Sequence, residues 1–136
     1  IDMPSVTFIV PGKARGKARP RVTKFATYTP DPGGWTDSVG YYAIQTAGRP
    51  NWESCIELNF TVIRQMPSSW SKKKRDAMGG QPCNTIPDLV NIGAAICDAL
   101  ENILYPNDKQ ICSITCSKKW GPIDQTEIFV RCVDES

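Results

Sequence analysis

From Cys55 to Arg64 every second residue is apolar: Ile56, Leu58, Phe60 and Val62 alternate with Glu57, Asn59 and Thr61. A period of two belongs to a strand with one face in the core and the other in water. Ser5 to Val10 is a shorter β-branched run ended by Pro11-Gly12, and it predicts a first strand. The segment from Lys13 to Lys24 reads as an arginine-rich loop, and Ala26 to Thr29 as a brief extended return before the turn at Pro30 to Gly34. Between Trp35 and Ala47 the spacing changes, with Trp35, Val39, Tyr42 and Ala43 recurring at three to four, as on one face of a helix closed by Gly48. Ser69 to Met78 predicts a short helix capped by a serine and stopped by Gly79-Gly80. The strongest helical stripe, Leu89, Ile92, Ile96, Leu100 and Ile103, predicts a helix over Leu89 to Leu104 with Asp88 as its cap. Asn91, Ala94, Asp98 and Glu101 line its opposite face. After a turn at Tyr105 to Asp108, Gln110 to Lys119 and Gln125 to Val133 read as two strands forming a hairpin around Gly121-Pro122.

These elements predict an α/β (α+β) fold with four to five strands, one long helix and one or two shorter ones. The 136 residues fit one domain, placed at 3–136. Ile1 and Asp2 precede Met3, the expected initiator, and are set aside as a remnant of a fusion. No apolar run reaches the ~20 residues of a membrane span and no signal-peptide layout opens the chain, so a cytoplasmic location is expected. Six cysteines without a secretory signal are expected to be reduced and mostly buried. With no histidine and no CxxC pair, structural zinc is disfavoured. The wider spacing of Cys112 and Cys116 would place both thiols on one face of a strand.

Charge changes the picture more than composition does. The net charge is only +2, yet five of the sixteen basic residues are Lys13, Arg15, Lys17, Arg19 and Arg21, and four more are Lys72, Lys73, Lys74 and Arg75. Seven basic residues then face fourteen acidic ones in the rest of the chain. Either run alone would read as a solvated face, but two on one small domain favour a polyanion, and nucleic acid above all. Trp70 beside the second run is placed either on a base or against the core, and Lys118 joins the candidate DNA contacts.

Phosphodiester cleavage calls for clustered carboxylates that hold Mg²⁺. Asp88 opens the main helix and Asp108 lies just past its end, each also suited to a simple cap or turn. A helix over 89–104 is roughly 24 Å long, so the two aspartates of one chain share an ion only if the chain doubles back. Otherwise the helices of two subunits must pack antiparallel, bringing Asp88 of one toward Asp108 of the other.

Several stretches resemble the RusA-type Holliday junction resolvases, small Mg²⁺-dependent endonucleases often found in prophages, and the likeness runs from about Ile9 to Lys119. Pro11-Gly12-Lys13 through Arg19-Pro20-Arg21 is similar to the family's first loop, and Tyr28-Thr29-Pro30 to its "YTP". Pro67 to Arg75 is similar to its "P-x-S-W-S-K-K-K" stretch. Pro87-Asp88-Leu89-Val90-Asn91, Asp98-Ala99-Leu100 and Asn107-Asp108-Lys109-Gln110 follow its "P-D-x-D-N…K…D-A-L…D-D-x-Q" in order. The resemblance implies an intertwined homodimer with a mixed sheet that binds and nicks branched DNA in recombination and repair. Asp88 and Asp108 are the implied Mg²⁺ ligands (Mn²⁺ as substitute), with Asn91 and Asp98 in or near the catalytic channel. Val90 stands where the motif has its second aspartate, Ala94 where it has lysine, and Asn107 where it has another aspartate. Valine binds no metal, so a relative that binds branched DNA without cutting it is the alternative reading.

Overall fold

The computed structural model describes residues 3–16, 21–22, 27–28 and 34–133. Seven residues of β1 (Ser5–Pro11), eleven of β4 (Cys55–Gln65), eleven of β5 (Ile111–Gly121) and nine of β6 (Gln125–Val133) form one mixed sheet in the order β1-β6-β4-β5. β1 and β4 run antiparallel to β6, while β5 runs parallel to β4. A separate ladder joins β2 (Arg21–Val22) to β3 (Thr27–Tyr28). Three helices, α1 (Trp35–Ala47), α2 (Lys72–Met78) and α3 (Leu89–Leu100), complete the described α+β fold.

The alternation in the sequence becomes the two faces of this sheet. Ile56, Leu58, Phe60 and Val62 are buried beside Val6, Phe8, Val10, Ile128 and Val130, and α1 and α3 close that face with Val39, Ala43, Ile92, Ile96 and Leu100. α3 lies against the Phe60 ring at Gly93, where an added Cβ would stand 3.5 Å from it, in ordinary contact. At about 25 cal/mol per Å² of apolar surface, this layer supplies the main drive for folding.

Three expectations need correction. β5 and β6 do not form a hairpin, because β4 lies between them. The three-residue connection crosses the end of β4 and is tied there by Met66 N to Gly121 O and by Gln65 N to an Asp124 carboxylate oxygen. Nothing in a strand's own pattern encodes which strand it pairs with.

The long helix stops at Leu100, not Leu104. Asn102 takes φ 68° and its N–H bonds Tyr105 O, which turns the chain back while Ile103 and Leu104 stay buried. Those two apolar residues kept the helical spacing for a core role, not a helical one.

A register shift at Ile56/Glu57 leaves Cys112 as the extra residue of β5, so it falls out of step with Cys116. All six cysteines are free thiols, with Cys112 and Cys116 exposed. No described helix is long and apolar enough to cross a membrane.

Candidate functional site

The ends of the strands sort the candidate residues into two groups. One end of the sheet carries Pro11 of β1, Gln65 of β4, Gly121 of β5 and Gln125 of β6. Lys13 and Arg15 leave β1 there, both exposed, after Gly12 bends at φ 92°. Gly16 reaches the first turn of α3 so closely that a side-chain carbon on it would collide with Asn91. Gly16 of the first basic segment thus lies beside Asn91, one helical turn past Asp88. Lys17 and Arg19 lie outside the described residues, and Arg21 is described only in its backbone, as part of β2.

The second basic run reaches the same end. Ser71 caps α2 by accepting from Lys74 N at 3.1 Å, three residues later than the expected start of this helix. Trp70 packs edge-on against Trp120 of β5, with ring centroids 4.9 Å apart, and Lys74 Nζ lies 4.3 Å above the Trp70 ring. Trp70 thus anchors α2 to the sheet and carries the Lys74 cation over its ring. Lys72 and Arg75 line a cleft with Gln65, Met66, Ser68 and Pro122, and Lys73 is exposed on the same helix. Lys118 Nζ donates to the carbonyls of Thr85 and Pro87, so this cation clamps the loop that presents Asp88.

Asp88 caps α3: one carboxylate oxygen accepts from Val90 N at 2.9 Å, and the side chain is exposed. Val90 and Ala94, one turn apart, are exposed on α3, with Val90 83% exposed. An apolar side chain so placed adds nothing to the core.

The other end of the sheet is acidic. Asp98 is exposed near the C-terminus of α3, and Glu101 accepts from Asp108 N at 2.9 Å. Asn107 forms a capping box with Gln110, whose amide also donates to Trp52 O and Ser54 O at the start of β4. The Tyr105 hydroxyl donates to Cys97 O at 2.7 Å. Burial, then the Asp108 and Asp98 charges, push the Cys97 thiol up to about 11. Burial likewise holds the Tyr105 phenol well above its ordinary range, with Cys97, Asp108, Glu101 and Asp98 adding to the effect.

Asp88 and Asp108 are therefore separated by α3, whose twelve residues span about 18 Å. One ion held by bonds of ~2.1 Å cannot bridge that gap. Among the described residues of one chain, no three acidic or thiol groups form a metal cage. The structure places Asp88, Asn91, Lys13, Arg15, Lys118 and α2 at one end of the sheet, and Asp108 with Asp98 at the other. Sequence reasoning missed the contact of Gly16 with Asn91, the clamp role of Lys118 and the hold of Glu101 on Asp108. Only the place of Glu101 in the polar pattern of the expected helix hinted at any of these.

The family model described as endodeoxyribonuclease RusA matches residues 11–131. A protein of Bacillus subtilis (strain 168), described as uncharacterized protein YqaN, is 28% identical over 139 residues, which cover 95% of this chain and 97% of that relative.

Proposed function

Because the chain belongs to the endodeoxyribonuclease RusA family, we propose that it is a structure-selective endodeoxyribonuclease that binds four-way or other branched DNA as a homodimer and nicks it. The observation that carries this reading is that Gly16 beside Asn91, Lys118 on the loop before Asp88, and Trp70 of the second basic run on Trp120 all lie at one end of the sheet. Lys13, Arg15, Lys72, Lys73 and Arg75 neutralise phosphates, together with Lys17, Arg19 and Arg21 of the first basic segment. Such contacts make binding fall steeply with salt. Preference for branched DNA comes from the shape of a paired channel, since phosphate contacts carry no sequence information.

Among the described residues, the carboxylates of one chain do not gather into a metal site. Those of two chains do, if Asp88 of one subunit meets Asp108 of the other, with Asp98 and Asn91 at the margins. Mg²⁺, or Mn²⁺ in its place, would there offset charge on the scissile phosphate and activate water.

A second reading is favoured by Val90 and Ala94, which put an apolar pair on the exposed flank beside Asp88. It describes a family member that binds branched DNA without cutting it. A four-way junction incubated with protein and Mg²⁺ or Mn²⁺, beside a gel-shift titration, separates the two. Nicked junction supports the nuclease, and shifted but intact junction supports the binder. In the latter case Val90→Asp with Ala94→Lys restores nicking if the site is correctly placed; both positions are exposed, so the pair leaves the core intact.

A further inference from the structure

The apolar side chains most open to water stand around Asp88. Ile86 and Val90 are 78% and 83% exposed, and no other large apolar side chain among the described residues exceeds 57%. One lies two residues before Asp88 and the other two residues after it, so the chain keeps their Cα atoms within about 14 Å. Single exposed apolar residues are ordinary on any protein surface. That reason does not cover the two most exposed ones bracketing a candidate catalytic carboxylate, and neither contributes to the core.

The backbone that carries them is held on both sides. Lys118 Nζ donates to the carbonyls of Thr85 and Pro87, which flank Ile86. The Thr85 hydroxyl donates to Ile86 O at 3.3 Å, and Cys83 N bonds Lys118 O of β5. Val90 N is tied to the Asp88 carboxylate. Isoleucine and valine are stiff at χ1, so on an anchored backbone both side chains have little freedom left to lose when a ligand arrives. The surroundings set the charge of that ligand. Lys13, Arg15, Lys118 and Lys119 stand at the same end of the sheet, so the group that fits combines an apolar face with negative charge. A nucleotide offers both once its base is unstacked, because inside a continuous duplex the neighbouring bases cover its faces.

We propose that Ile86 and Val90 pack on the base of an unstacked nucleotide whose phosphate approaches Asp88, and that this contact selects DNA with an unpaired or branch-point nucleotide over continuous duplex. The inference rests on the DNA-binding reading given above and adds to it the feature of the substrate that is read. Aliphatic side chains can press between base steps, at the cost of unstacking them. That cost is least where the base is already mismatched or single-stranded. Phosphate contacts make no such choice: the cations raise affinity for every DNA alike, and the apolar pair divides one DNA from another. Thymine, whose methyl group adds apolar area, is the favoured base.

The test is made on the full chain with EDTA present, so that no DNA is cut. Fluorescence anisotropy compares a labelled paired duplex, the same duplex with one extra unpaired thymine, and a four-way junction. The unaltered protein is expected to hold the bulged duplex about tenfold tighter than the paired one. Ile86→Ser with Val90→Ser is expected to abolish that preference while affinity for the paired duplex stays within about twofold, because the phosphate contacts are untouched. Both positions are exposed, so the far-ultraviolet spectrum stays as it was, and Ile86→Leu with Val90→Ile keeps the preference. A serine variant that still prefers the bulge would overturn the inference and leave the apolar pair to a protein partner. An unaltered protein that holds bulged and paired duplexes equally, yet prefers the junction, would overturn it as well and leave the proposed function standing. A chain that binds none of the three DNAs even at low salt would remove both.

Discussion

Under the proposed function Asp88 serves two physical ends at once, and substitution can divide them. Its carboxylate caps α3 through Val90 N, a contribution of roughly 0.5–2 kcal/mol for such caps. Asparagine keeps the accepting oxygen and discards the charge. Asp88→Asn is therefore expected to unfold within about 0.5 kcal/mol of the parent in urea titration while losing nicking, whereas Asp88→Ala loses about 1 kcal/mol as well. Equal stability loss in both variants would show that charge, not the cap, supports the helix. At the far end of α3, Cys97 and Tyr105 keep their protons in the folded state beyond their ordinary values of 9.0 and 10.0. The unfolded chain releases those protons first, so it holds fewer of them above pH 9 and stability falls as pH rises. Thermal melts are expected to be level up to about pH 8.5 and to drop between 9 and 11, the interval that Cys97 sets. Tyr105→Phe should flatten the upper part of that fall, at a cost of about 0.5–1.5 kcal/mol at neutral pH from the lost bond to Cys97 O.

Among the elements, α2 is the least secured. It has seven residues, none of them buried, and isolated helices of that length do not persist in water. Its order comes from the Ser71 cap and from Trp70 seated on Trp120. Ser71→Ala is expected to lower junction affinity several-fold at low salt and to leave the global melting midpoint within about 2 °C, because only this element loosens. Fluorescence anisotropy with a labelled junction measures the first and calorimetry the second. An unchanged affinity would remove α2 from the DNA contacts.

For the whole molecule the decisive fact is the distance between its acidic and basic ends. A site that draws Asp88 from one subunit and Asp108 from the other predicts complementation. Asp88→Asn and Asp108→Asn, each inactive alone, should recover about a quarter of the parent's nicking when mixed and re-equilibrated, since half the dimers are mixed and each holds one intact site of two. If the parent itself does not cut, the same mixture is made in the Val90→Asp, Ala94→Lys background. Absence of recovery from freely exchanging dimers would place each site within a single chain.

Much of the local structure was legible in the sequence. The helix over Trp35–Ala47 with Gly48 behind it, the strand from Cys55 and the Asp88 cap follow from periodicity and from side chains that satisfy nearby backbone groups. Both basic segments and the aspartates were also visible, because residue type and motif spacing are properties of the chain order. Strand partners were not: β6 and β5 carry compatible patterns and adjoin in sequence, yet the buried, both-sided pairing of β4 places it between them. The end of α3 was hidden for a similar reason, since Ile103 and Leu104 are buried whether or not they are helical. The amino-acid order alone determined which surfaces must leave water and which side chains can carry charge. Only the tertiary structure decided that Asp88 joins the basic segments and Asp108 does not, because long-range pairing sets which ends of the elements meet, and a pattern that repeats every two or four residues holds no record of it.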